Sequence, residues 1–217
     1  MKKKLGWILS LTLCFALIIA ATLVTASASA SVSYIDANGD EQTCDSATVV
    51  TESDTTWGDD GNNGWYVVND DVTIDQRVTV IGNVHLILAD GYTLTASQGI
   101  HVTGDNSLTI YAQSAGEGMG KLTANAGWER AAIGSEQSQA AGNITICGGN
   151  ITAAGGGSAA IGNVNGEAGT VTIYGGWVKA TGAYTDADSV SAWVEPAMRW
   201  AVENGIITGV TDSTLEP

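Results

Sequence analysis

A self-repeat constrains this 217-residue chain more than any other feature. GNITICGGNITAAG at 142–155 aligns with GTVTIYGGWVKATG at 169–182 at an offset of 27 residues, and Ala131-Ala132-Ile133-Gly134 aligns with Ala159-Ala160-Ile161-Gly162 at an offset of 28. Each unit reads as AAIG, a Gly/Asn/Glu loop, a short strand (Ile144, Ile146; Val171, Ile173), a Gly-Gly turn and a second strand (Ile151, Ala153; Val178, Ala180). A unit this short cannot bury an apolar face alone, so neighbouring units must stack and share one core. The loops repeat as well as the strands, which favours a parallel β-solenoid over an antiparallel sandwich of similar strands.

Upstream the period blurs but the pattern holds. VTIDQRVTVIG (72–82), VHLILADGYTLTA (84–96), GIHVTGDNSLTIY (99–111) and GKLTA (120–124) are short alternating runs separated by Gly, Asn or Asp. Alternation at period two puts the aliphatics on one face and Thr, His and Asp on the other. The repeat domain is expected over 64–182, and the Asp/Thr/Ser-rich stretch 31–63 as an edge strand or cap for the open end of the stack. Within that cap, Asp36-Ala37-Asn38-Gly39-Asp40 is loosely like a calcium loop but lacks the downstream Glu, so a hairpin turn is expected there.

Compartment follows from the first thirty residues. Lys2-Lys3-Lys4, an apolar run from Leu5 to Val24 and Ala28-Ser29-Ala30 have the layout of a secretory signal peptide, with an uncleaved membrane anchor as the competing reading. Removing 1–30 leaves five bases (Arg77, Lys121, Arg130, Lys179, Arg199) against 23 acids, a net charge near −18. Clustered Lys and Arg, which nucleic acid and anionic lipid require, are not found, so neither is an expected partner, and no membrane contact is expected after cleavage. Cys44 and Cys147 would remain, either paired or as free thiols.

Catalytic chemistry is not expected. A polysaccharide lyase needs a base beside a carboxylate cluster, and a hydrolase needs two or three acids in one cleft. The bases of 64–182 are scattered in sequence, and the adjacent acids Asp59-Asp60 and Asp70-Asp71 point to opposite faces if they lie on strands. A polysaccharide-degrading enzyme is the alternative reading, because stacking brings distant residues together. His85 and His101 fall in the polar phase of their strands and read as outward, solvated side chains, so no zinc site, other metal or cofactor is expected. Aromatic faces stack on sugar rings. Trp128, Trp177, Tyr174 and Tyr111 lie in or beside the repeat, with Trp177 outward if Val178 is inward. Two readings stay open for them, glycan contact (Trp128, Trp177, Tyr174) and packing of a loop on the solenoid wall.

The tail reads differently. Val190, Trp193, Val194, Ala197, Trp200 and Ala201 recur at three-and-four spacing, Pro196 falls in a first turn and Asn204-Gly205 supplies a stop, which predicts a short amphipathic helix.

Two resemblances rest on these residues. WYVVNDDVTIDQRVTVIGNVHLILADGYTLTASQGIHVTGDNSLTIY, with the GG-containing units after it, resembles the right-handed β-helix segments of adhesin-like surface proteins of Gram-positive bacteria. This implies an all-β, right-handed parallel β-helix, with the predicted C-terminal α-helical segment beyond it, in a structural or adhesive role with extracellular glycans as partners. The tail at 183–217 closely resembles the first two thirds of an S-layer homology domain, through Tyr184, Asp186, Trp193, Ala197, Ala201, Gly205, Ile206, Gly209, Leu215 (usually Phe) and Pro217. Such domains hold exported proteins to pyruvylated polysaccharide of the Gram-positive cell wall, which implies that partner and that location. The family's second helix, opened by a T-R-A-E-like motif, would follow Pro217. Residues 184–217 alone are therefore expected not to bind the wall.

Overall fold

The computed structural model describes residues 28–59, 63–156 and 158–182, and every regular element in them is a β-strand. The chain opens with β1 (Ser29–Ile35) and β2 (Glu41–Val49), an antiparallel hairpin. There follow β3 (Thr56–Trp57), β4 (Asn63–Val68), β5 (Val72–Ile74), β6 (Val78–Val80), β7 (Asn83–Leu88), β8 (Thr93–Ala96), β9 (Ile100–His101) and β10 (Ser107–Ala112). The remainder are β11 (Lys121–Ala126), β12 (Ile133–Gly134), β13 (Asn143–Ile146), β14 (Asn150–Gly155), β15 (Ile161–Gly162), β16 (Val171–Ile173) and β17 (Trp177–Thr181).

These strands form three sheets that the chain visits in strict rotation. The first runs β1-β2-β4-β7-β10-β13-β16, the second β17-β14-β11-β8-β5 and the third β15-β12-β9-β6-β3. From β4 onward each strand pairs in parallel with the strand three places later, an arrangement consistent with a β-solenoid. Among the described residues, antiparallel pairing is confined to the hairpin and two isolated bridges, so an antiparallel sandwich is ruled out.

The register reproduces the repeat. Ile144 sits on Val171 and Ile151 on Val178, the offset of 27, while Ile133 sits on Ile161, the offset of 28. Earlier turns differ in length, which is why the period blurs there: Val84 pairs with Leu108, but Leu108 pairs with Ile144.

Alternation places the aliphatics where it should. Val84, Leu108 and Ile144 form one inward row, Leu86, Ile110 and Ile146 a second, and Leu94, Leu122 and Ile151 a third, all fully buried. The AAIG glycines serve close stacking. Gly134 has φ +141° and Gly162 φ +103°, and a Cβ on Gly134 would run into the Gly162 carbonyl. A side chain there is excluded twice, by backbone conformation and by space.

The stack begins earlier than residue 64. Thr48 and Val49 pair in parallel with Tyr66 and Val67, and β3 pairs in parallel with β6, so 31–63 supplies strands of the sheets as well as a hairpin. Trp57 is fully buried at that end, whereas Val171 and Ile173 of β16, inward in phase, are exposed at the other. The Asp36–Asp40 stretch is the expected hairpin turn: Asp36 Oδ1 accepts the Asn38 (2.8 Å) and Asp40 (3.0 Å) amides, and Gly39 takes φ +86°. These bonds, the one from Asp40 foremost, hold the Asp36 carboxyl below its usual range. The segment 1–27 and the predicted helix of 183–217 lie outside the described residues.

Candidate carbohydrate-contact surfaces

The outward faces of the first and second sheets diverge. On the first, the β1–β2 hairpin folds across the strands and buries Val32, Ala47, Val67, Ile87, Tyr111 and Cys147 in a second apolar cluster, separate from the core. Beneath its turn lies a ring stack. Trp65 is parallel to His85 at 4.3 Å between centroids, and Tyr34 leans on Trp65 at 5.1 Å and on Tyr111 at 4.7 Å. His85 Nδ1 lies 3.0 Å from the Tyr111 hydroxyl. His85 is outward, as the alternation predicts, but the stack half-buries it, and burial holds its pKa below the ordinary value. Burial pushes the Tyr111 phenol up to about 12 and the Cys147 thiol up to about 11. Tyr111 therefore packs under the hairpin and is not a surface platform. Cys44 and Cys147 are both free thiols.

Trp128 is the most open of the aromatic candidates, at 74% exposure. It stands on the loop between β11 and β12, beside a shallow notch lined by Glu129, Arg130, Glu136 and Gln137. A short antiparallel return shapes this loop. Arg130 bridges Glu136, Gln137 N donates to Glu129 O at 2.9 Å, and Glu129 takes φ +65°, a conformation uncommon outside glycine. Glu136 Oε1 forms ion pairs with Arg130, whose Nε lies 3.2 Å away, and with Arg77, whose Nε lies 3.3 Å away. Arg77 also donates to the carbonyls of Gln98, Ala131 and Gly134, and burial lowers its pKa to about 10, leaving it cationic at neutral pH. Stacking thus gathers two bases that are 53 residues apart in sequence onto one carboxylate.

Trp177 (50% exposed) and Tyr174 (60% exposed) flank the Gly175-Gly176 turn between β16 and β17. The fold does not unite them with Trp128. Trp177 shares a cross-strand row with Asn150 and Lys121, whereas Trp128 follows the far end of β11, roughly 17 Å or more along the strand direction. His101, on the third sheet, has its Nε2 2.8 Å from Gln139 Oε1. Among the described residues no three His, Cys, Asp or Glu side chains gather closely enough to hold a metal ion. Sequence reasoning missed the Tyr34–Trp65–His85–Tyr111 stack, and no local signal marks it, because its members meet only through the hairpin fold and the cross-strand register.

The described residues therefore form an all-β stack of parallel sheets, with one outward face covered and another bare. Residues 183–217 match the family model of the S-layer homology domain. That match marks the chain as a cell-surface protein with a wall-anchoring sequence in its tail. Neither the curated proteins nor the solved structures contain a match to the chain.

Proposed function

We propose that the chain is a secreted protein displayed on a Gram-positive cell wall. In this reading its S-layer homology sequence, as part of a complete domain, engages wall polysaccharide, while a right-handed parallel β-helix acts as a structural and adhesive module without catalytic chemistry of its own. The observation that carries the proposal is the S-layer homology match adjoining a parallel-stranded stack. Exposed aromatics on that stack support a glycan contact, because indole and phenol faces pack against the apolar faces of sugar rings. The strained Glu129 backbone beside Trp128 supports the notch as one point of contact, since strain of this kind is retained where the surroundings over-determine it.

The test is retention of the full chain on columns of purified wall polysaccharide and of plant glycans. Wild type is expected to be retarded, with Trp128→Ala and Trp177→Ala each weakening retention several-fold. Unchanged retention of both variants would remove the aromatic contact, and release of unsaturated or reducing ends from uronic-acid polymers with calcium would replace the adhesive reading by an enzymatic one.

A further inference from the structure

The outward face of the second sheet carries a pattern that sequence order hides. Its strands β8, β11, β14 and β17 read TLTA, KLTANA, NITAAG and WVKAT, and contain no acid in a chain of formal net charge −15. Thr123, Thr152 and Lys179 lie in one cross-strand row, and Lys121, Asn150 and Trp177 in the next. Both lysines of the described residues are therefore on this one face. Neither has a carboxylate within ion-pair distance among the described residues, where the two ion pairs both belong to Glu136. Acids flank this sheet, Asp71 and Asp75 beside β5 at the opposite edge and Asp90 and Glu117 in the loops that lead into β8 and β11. Unlike the first sheet, this face has no hairpin across it among the described residues.

Each row has its own chemistry. Thr and Asn side chains at strand spacing offer hydroxyl and amide groups that both donate and accept. Trp177 offers a half-exposed indole at the end of its row. Lys121 and Lys179 are two strand spacings apart, about 10 Å along the stack, and ammonium groups make charge-assisted bonds to carboxylates. At physiological ionic strength charges are screened over about 8 Å, so these two lysines, and not the net negative charge of the chain, dominate a ligand in contact with the face.

We propose that this face docks an acidic polysaccharide, a polymer of hydroxyl-rich rings bearing carboxylates, laid across the strands from β11 to β17 with a ring on Trp177. This rests on the carbohydrate contact proposed above and adds the charge class of the ligand. The experiment uses the full chain with two polymers of one backbone, polygalacturonate and its fully methyl-esterified form. Wild type is expected to bind the free acid more tightly, K121Q/K179Q to lose roughly tenfold in affinity for it while keeping the wild-type melting temperature, and W177A to weaken binding of both polymers. Equal binding of the two polymers, or a double lysine variant as tight as wild type, would overturn the charge selection and leave the carbohydrate contact standing. If W177A had no effect, the site would not be this face; if wild type bound neither polymer, both proposals would fall.

Discussion

The first and second sheets share one inward pattern and have opposite outward ones. Val84, Leu108 and Ile144 in the first sheet and Leu94, Leu122 and Ile151 in the second are equally buried, because both sets alternate into the same core. Outside, the first sheet presents Trp65, His85 and Tyr111 to the hairpin, and the second presents Thr, Asn, Lys and a half-exposed Trp177 with no other element over them among the described residues. The inward phase of each strand builds the stack, and the outward phase is free to recruit a cover or to meet solvent and a ligand.

The strongest way to break the contrast is to unpin the cover. Tyr34→Ala removes ring contacts with Trp65 and Tyr111 and is expected to lower stability by about 2–3 kcal/mol in chemical denaturation, combining lost burial with lost ring pairing. A loss below about 0.5 kcal/mol would show that the hairpin does not depend on the stack.

A smaller effect is expected from acid. Burial depresses the His85 pKa in the folded state, so the unfolded chain takes up that proton first as pH falls. The His85 contribution is constant above the ordinary imidazole value near about 6.5 and turns destabilising as pH drops below it. Melting curves from about pH 7.5 to about pH 5 should therefore fall less steeply for His85→Gln than for wild type, and parallel curves would show that the ring titrates freely. The smallest effect belongs to the bare face. Thr123→Ala should change stability by about 0.5 kcal/mol or less, and a loss comparable to that of Tyr34→Ala would mean that this face is also covered.

Much of the core was legible because alternation is a local signal. Ile144, Ile146, Ile151 and Ala153 were placed inward from the repeat alone and are buried, and Trp177 was placed outward from its phase against Val178. The glycines of AAIG were visible as repeats, but their reason was not, since the close approach of Gly134 to Gly162 exists only between turns of the stack. His85 shows the limit most clearly. Its outward phase was readable, while its stacking on Trp65 and its contact with the Tyr111 hydroxyl depend on residues of neighbouring strands, 20 positions before it and 26 after it in sequence. The surface candidates divide similarly: Trp128, Tyr174 and Trp177 are exposed, Tyr111 is covered, and Lys121 and Lys179, far apart in sequence, share a face.

By itself the sequence determined the strand grammar, the offsets of 27 and 28, the inward rows and the S-layer homology tail, because each is written in residues near one another along the chain. Only the tertiary structure decided which outward residues meet. Parallel stacking sets residues from successive turns about 4.8 Å apart whatever their separation in sequence, so Lys121, Asn150 and Trp177 become neighbours and Arg77 joins Arg130 on Glu136. Among the described residues the hairpin covers the first sheet and not the second, because Tyr34 and Val32 find an apolar and aromatic partner on the first sheet, whereas the second presents threonine, asparagine and lysine.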